Sequence, residues 1–263
     1  MRRLFAKKRR YRDELLELDD LVYSPHKTGT QTLITTLNSN GYTSTHCHLL
    51  GNIGVRVQDF RTYLQDYRKR NKRPLDIITV FREPMERHMS SFFQGYGTRP
   101  LRLKQMHDES ETIIYRYTVE QLREKYIQEL TDKSLIGYPE ALHEIFSTLR
   151  LTAADLSRAG DEAFARYESD LLRLYVFRFD ELFANLEPQL SAVTEKAIEE
   201  ASTNLSDTKW YRDKYKAFKT EVRLPDEVIE QVYAEKRDLI EYFYGDYPVA
   251  LQAALVKFGN SGT

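Results

Sequence analysis

The chain has only one cysteine, Cys47, among 263 residues, and no apolar run long enough to cross a membrane. A single cysteine cannot form an internal disulfide, so a disulfide-stapled secreted fold is excluded and a reducing compartment is favoured. The basic start also lacks the apolar stretch of a signal peptide. These absences predict a cytoplasmic protein without an integral membrane segment.

Net charge is also nearly absent, because 39 Lys and Arg residues face 40 Asp and Glu residues. This balance excludes a polycation that binds nucleic acid over its whole surface. The basic charge is concentrated at the start, where residues 1–10 (MRRLFAKKRR) carry six basic side chains. We predict a basic arm over residues 1–15, either a mobile terminus or a peripheral contact to an anionic membrane surface.

Predicted strands alternate with predicted helices along the chain. The run at 76–81 (DIITVF) is mostly β-branched and apolar, without strict alternation, which is typical of a parallel strand buried on both faces. A shorter run at 21–24 is followed by a polar loop and by apolar residues at helical spacing over 30–40. Further strands are predicted at 42–50 and 171–179.

This alternation predicts an α/β fold, a P-loop-like parallel sheet flanked by helices, with helical insertions. A single domain is expected over residues 1–263. Residues 105–170 and 191–201 are helical in pattern. Because parallel sheets bind ligands at the carboxyl ends of their strands, polar segments that follow strands are the candidate sites.

The first such segment is 25–32 (PHKTGTQT), between a predicted strand and a predicted helix. Backbone N–H groups at a helix start, together with the amine of Lys27, suit an anion. Gly29 lets the backbone approach a ligand closely, and the threonine hydroxyls add donors. The nucleotide triphosphatase loop GxxxxGK[ST] is absent. The alternative is a threonine-capped helix with an exposed lysine.

The second segment is 81–93 (FREPMERHMSSFF). Arg82 leaves the end of a predicted strand, and Ser90 lies about two turns into the helix that Pro84 starts. A guanidinium fork and a hydroxyl that both lie at the carboxyl edge of the sheet suit a terminal phosphate. The alternative is an arginine held in an ordinary ion pair.

Taken in this order, the two segments resemble the PAPS-dependent sulfotransferases (PAPS is 3′-phosphoadenosine 5′-phosphosulfate). The stretches 204–218 and 224–233 are similar to those of the carbohydrate type that acts in bacterial capsular-polysaccharide synthesis. Strand–PxKTGT–helix is similar to that family's 5′-phosphosulfate loop, and RxPxxRxxSxF to its 3′-phosphate motif. The resemblance is specific over about residues 20–95 and loose elsewhere. It implies PAPS as the donor, PAP as the product, and an acceptor site shaped by the helical insertion at 95–170.

The resemblance also implies roles for individual residues. Lys27 is expected on the bridging and sulfuryl oxygens, and Arg82 and Ser90 on the 3′-phosphate. The donor-binding loop comprises Lys27, Thr28, Gly29, Thr30, Gln31 and Thr32. The family usually has Ser or Thr where this chain has Gln31, whose amide can still donate a hydrogen bond.

A late segment, 209–215 (KWYRDKY), falls where the family has a loop that closes over the nucleotide. By that resemblance Lys209 and Tyr211 are expected to bind the donor. The alternative is a charged surface helix with one aromatic face.

Sulfuryl transfer to a hydroxyl needs a base, and two histidines are candidates. Strand alternation places His46 and His48 on one face, with Cys47 on the other. His48 lies nearer the carboxyl end and is the preferred base. A buried structural histidine is the alternative. A metal site is not predicted, because H-x-H lacks an obvious third ligand. His26 and Glu83 are the fallback bases.

The sequence therefore predicts a sulfotransferase that moves a sulfuryl group from PAPS to an acceptor hydroxyl, expected on a saccharide, with no nucleic-acid partner. Two other classes stay open at this point. One is a small-molecule kinase, which would need a Walker-type lysine and a magnesium ligand. The other is a non-catalytic module that binds anionic glycans.

Overall fold

The computed structural model describes residues 13–95, 117–131, 141–158, 164–194, 196–201 and 211–260. Most of the predicted basic arm and Lys209 lie outside these residues. The chain divides into two compact units, which are Met1–Arg82 with Pro139–Thr203 and Glu83–Tyr138 with Asn204–Thr263. The single domain over 1–263 stays a prediction.

The first unit contains a five-stranded sheet. Its strands are β1 (Asp20–Tyr23), β2 (Ser44–Cys47), β3 (Leu75–Phe81), β4 (Phe164–Glu168) and β5 (Leu172–Arg178). They lie in the order β2-β1-β3-β5-β4, and every pairing is parallel except that of β4 with β5. The predicted α/β fold with a mostly parallel, helix-flanked sheet is confirmed.

Eleven α-helices are described. In chain order they are α1 (Thr30–Ser39), α2 (Phe60–Asn71), α3 (Pro84–Gly95), α4 (Val119–Thr131), α5 (Ala141–Leu149), α6 (Phe179–Ala184), α7 (Leu186–Ser191), α8 (Arg212–Glu221), α9 (Asp226–Ala234), α10 (Arg237–Tyr244) and α11 (Tyr247–Phe258). Short 3₁₀ turns cover Leu50–Ile53, Val57–Asp59 and Ala153–Asp155. None of the helices in the described part of the chain has both the length and the apolarity that a bilayer crossing demands.

The core of the first unit forms where α1 covers the sheet. Leu33 and Leu37 belong to one buried cluster with Val22, Ile78 and Val80. All seven residues of β3 are buried, as its mostly apolar, non-alternating run predicts. Each such side chain stabilises the fold by roughly 1.5–3 kcal/mol, so the carboxyl ends of β1 and β3 are rigidly placed.

The second unit contains α3, α4 and α8 to α11. Its interior has a dense aromatic cluster, in which Phe92 and Phe93 of α3 pack with Tyr126 of α4 and Phe218 of α8. The edge-to-face pairs have ring centroids 5.1–5.6 Å apart, as expected of favourable aromatic contacts.

Two helix predictions were wrong in part. Phe164–Glu168, predicted helical, is the antiparallel edge strand β4, because it pairs along its whole length with β5. Residues 192–194 and 196–201, also predicted helical, contain no α-helix. There the Asn40 side chain donates to the carbonyl of Glu199 and accepts from its N–H, which substitutes for helical hydrogen bonds.

Candidate functional site

The loop between β1 and α1 is held by its own side chains. The Ser24 and Thr28 hydroxyls are 2.7 Å apart, and the Thr28 hydroxyl donates to the carbonyl of Pro25 at 2.6 Å. The Val80 N–H of β3 donates to the Ser24 hydroxyl at 3.1 Å. The Thr28 hydroxyl is thus hydrogen-bonded within the loop. The predicted contact of Thr28 with PAPS would therefore use its backbone N–H group.

Two residues of this loop have left-handed backbone. Lys27 has φ 70° and Gly29 has φ 73°. A lysine pays about 1–2 kcal/mol for this conformation, and such strain is concentrated at functional sites. The first turn of α1 has no side-chain cap for its N–H groups. The loop therefore presents backbone donors at the positive end of a helix dipole.

Thr30, the first residue of α1, has a buried hydroxyl with no hydrogen-bond partner in the described part of the chain. A buried hydroxyl without a partner is costly, and a bound ligand at the helix start would supply the missing acceptor. Thr32 is half-buried one position beyond Gln31, which is exposed. These residues fit the chemistry expected of a phosphosulfate loop.

Gly29 is required by a close contact as well as by its conformation. A Cβ atom at this position would overlap the ring of Phe183 on α6. Phe183 stacks on Phe179 of the same helix, with centroids 4.8 Å apart. Helix α6, which directly follows β5, thus packs against the loop.

Arg82 lies beside the loop, directly after the end of β3. Its Nη1 donates to the carbonyl oxygen of Lys27 at 2.9 Å, and its guanidinium lies 4.3 Å from the ring centroid of Phe179. Arg82 therefore contacts the loop between β1 and α1 at the carboxyl edge of the sheet. Two basic residues, Lys27 and Arg82, lie next to each other just before α1.

Three histidines surround the same edge. His46 is the third residue of β2, and His48 follows the strand end. The His48 ring centroid lies 5.5 Å from that of His46 and 3.5 Å from that of His26. Cys47 is buried between them in sequence, as strand alternation predicts. The Gln31 amide contacts His46 Nε2 at 3.5 Å.

The orientation of His48 is set by the backbone. Its Nδ1 lies 2.7 Å from the carbonyl oxygen of Ser24, so Nδ1 carries the proton and donates it to that oxygen. The neutral ring then has a lone pair at Nε2. The Asn52 side-chain oxygen accepts from the N–H groups of His48 and Leu49, at 3.2 and 2.9 Å. Backbone and ring are therefore both anchored.

Burial lowers the pKa of His48 below its ordinary value of 6.5. The Ser24 carbonyl opposes this shift, and His46 adds to it. A histidine that is neutral at pH 7 can accept a proton, so the electrostatics suit a general base. In the described residues, no group of three His, Cys, Asp or Glu side chains has a geometry that could hold a metal ion.

Other predicted residues lie in the second unit. Ser90 is half-buried on α3, and Tyr211 is buried, with its ring 5.9 Å from that of Phe93. Burial raises the pKa of Tyr211 to about 12. Glu83 accepts from the N–H groups of Met85 and Glu86, which makes it a cap of α3. Donor-binding roles for Ser90, Tyr211 and Lys209 stay predictions.

The sequence analysis missed three residues that position the site. Ser24 anchors both the loop and His48, Asn52 anchors the backbone of His48, and Phe183 covers Gly29. Only Asn52 had a local signal, since an asparagine in a turn with Gly51 commonly accepts backbone hydrogen bonds. The other two act through tertiary contacts.

Comparison with known proteins gave no match among family models, curated proteins or solved structures. The fold and the site geometry together define an α/β protein with a strained, lysine-bearing loop and a histidine cluster at the carboxyl edge of its sheet.

Proposed function

We propose that this chain is a sulfotransferase that uses PAPS as donor and an acceptor hydroxyl, expected on a saccharide. The observation that carries the proposal is the hydrogen bond from Arg82 to the carbonyl oxygen of Lys27. It joins Arg82 to the Lys27 loop, 55 residues away in sequence, and so supports the binding of one nucleotide by both residues. The histidine cluster lies at the same sheet edge.

The loop supports binding of the phosphosulfate end. Uncapped N–H groups of α1, the Thr30 hydroxyl and the Lys27 amine all suit negatively charged oxygens. Because the helix start fixes the N–H groups and the Thr30 hydroxyl, these donors can stabilise developing negative charge without reorganisation.

Arg82 supports binding of a second anionic group. A guanidinium has N–H donors on three nitrogens, and the bond to Lys27 is made by Nη1. Stacking on Phe179 fixes the plane of the fork. We propose that this fork selects a nucleotide with a 3′-phosphate over one that lacks it.

His48 is the proposed base. PAPS supplies an activated sulfuryl group, and the acceptor must lose its hydroxyl proton as its oxygen bonds to sulfur. Nε2 of His48 takes that proton, and the imidazolium that forms is stabilised by the Nδ1–H bond to the Ser24 carbonyl. Lys27 holds the negative charge that collects on the departing phosphate.

A nucleotide panel tests the donor assignment. PAP should raise the melting temperature of the protein, because a ligand that binds only the folded state stabilises it. ATP with Mg²⁺ should not. A shift with ATP and Mg²⁺ but not with PAP would point to a kinase, and a shift with neither would remove the sulfotransferase assignment.

A further inference from the structure

Helix α6 also lines a second concave site, with residues other than Phe183, which covers Gly29 of the loop between β1 and α1. It is a pocket of about 400 Å³ in the first unit. Six of its lining residues are polar, namely Arg158, Arg178, Asp180, Glu181, Asn185 and Gln189. None of them belongs to the loop or to the histidine cluster.

The charged groups of the pocket neutralise one another. Arg178 bonds to Asp180 at 2.8 Å and to Glu181 at 2.9 Å, and Arg158 reaches Glu181 at 3.5 Å. The two guanidinium and two carboxylate groups of the described lining together carry no net charge. An anionic ligand would face the carboxylates, and a cationic ligand would face the arginines. The polar lining likewise disfavours an apolar ligand.

Two amides complete the wall. Asn185 precedes α7 but its side chain does not cap that helix, and Gln189 lies one turn further on. Neither side-chain amide has a hydrogen-bond partner in the described part of the chain. Each amide offers both donors and an acceptor, which matches a hydroxyl, because a hydroxyl also donates and accepts.

We propose that this pocket binds a neutral, polyhydroxylated unit of a saccharide. The inference rests on the proposed function in one respect, that the saccharide is the acceptor chain. On one face of α6, Phe179 contacts Arg82 and Phe183 lies against Gly29. Asp180 and Glu181 of the same helix line the pocket. Because these two pairs of residues lie on different faces of α6, the pocket would hold a sugar unit other than the one that carries the reacting hydroxyl. Binding energy from a remote unit can be used to orient the reacting group.

An oligosaccharide array tests the proposal. Labelled protein should bind neutral oligosaccharides in preference to uronate-bearing or sulfated ones. The Asn185→Ala/Gln189→Ala variant should bind them at least about tenfold more weakly, since two hydrogen bonds are lost. The matched control is Gln65→Ala, an exposed amide on α2, which should bind as the wild type does.

PAP-induced thermal shifts, measured on all three proteins, separate the two proposals. Equal shifts show that the variants are folded and that the loop is intact. If PAP raises the melting temperature but the protein binds no neutral glycan, the saccharide-pocket proposal alone is overturned. The same holds if the double variant binds neutral glycans as strongly as the wild type. Preference for anionic glycans also overturns it. If the double variant loses glycan binding but PAP changes the melting temperature of none of the three proteins, the sulfotransferase assignment is overturned and the saccharide-pocket proposal stands.

Discussion

The Nδ1 atom of His48 lies 2.7 Å from the carbonyl oxygen of Ser24, the first residue of the loop between β1 and α1. One backbone segment therefore both starts the loop and fixes the tautomer of the histidine. Since Ser24 is also tied through its hydroxyl to Thr28 and Val80, the loop and the base share one rigid support. A change in either should be felt in the other.

The first prediction concerns the pH dependence of turnover. Burial and His46 hold the pKa of His48 below 6.5, so its neutral form persists to below that pH. Turnover, measured as PAP release from PAPS, should be constant around pH 7 and fall on an acid limb centred below 6.5. His46→Ala should move this limb upward, because one cause of the lowered pKa is removed. If the acid limb of the turnover profile does not move in His46→Ala and persists in His48→Asn, a residue other than His48 is the base.

The second prediction concerns Lys27. Lys27→Gly should relax the left-handed backbone and stabilise the fold by up to about 1 kcal/mol, while turnover falls by roughly 10²-fold as the charge is lost. The matched control is Lys72→Gly, because Lys72 is exposed and also left-handed, with φ 59°. Chemical unfolding should show similar gains in both variants. Equal turnover in the two would remove Lys27 from the mechanism.

The third prediction separates two roles of Arg82. Arg82→Ala should weaken PAP binding by about 2 kcal/mol, or roughly 30-fold, if the fork holds the 3′-phosphate. Binding of AMP, which lacks that phosphate, should then be almost unchanged in a calorimetric titration. If AMP affinity falls as much as PAP affinity, Arg82 acts only by supporting the Lys27 carbonyl. Arg61→Ala, at an exposed position on α2, is the control.

The fourth prediction compares two glycines with left-handed backbone. Gly29→Ala places a methyl group in the ring of Phe183, whereas Gly41→Ala meets no atom within 4 Å. Gly41→Ala should cost only the conformational strain, about 1–2 kcal/mol. Gly29→Ala should cost more, roughly 2–4 kcal/mol, and should weaken PAP binding. Urea unfolding gives both values, and equal losses would show that Phe183 yields without cost.

Local patterns in the sequence were sufficient for much of the fold. The apolar run of β3 predicted a strand buried on both faces, and the glycine and lysine after β1 predicted the loop. These features depend on residues close in sequence. Strand β4 did not follow from its own residues, because its conformation depends on pairing with β5.

The candidate site was predictable in its residue types but not in its supports. Lys27 and Arg82 were found from spacing, yet nothing local indicated that Arg82 would bond to the Lys27 carbonyl. The same holds for Phe183 over Gly29, since about 150 residues separate them. Such contacts are decided by the order of strands in the sheet, which no single segment encodes.

The fifth prediction concerns the opposite edge of the sheet, where Asp20 lies between Ser44 and Asp76 in the strand register. Arg173 makes two hydrogen bonds of 2.6 Å to Asp76, whereas among the described residues the Asp20 side chain has a single, long bond of 3.4 Å from Ser44. Burial, and then the charges of Asp76 and Asp19, raise the pKa of Asp20 from 3.8 to about 7, although Arg73 opposes the shift.

Because the folded state holds this proton more tightly than the unfolded state, the stability of the wild type should fall as pH rises from about 4 to about 7 and then level off. Asp20→Asn cannot ionise, so it should be more stable than the wild type at pH 8, by on the order of 2–4 kcal/mol, and the gain should shrink towards pH 4. The exposed Asp170→Asn is the control. Denaturant unfolding at pH 4, 6 and 8 measures the difference, and a gain that does not grow with pH would show that the pKa of Asp20 is not raised in the folded protein.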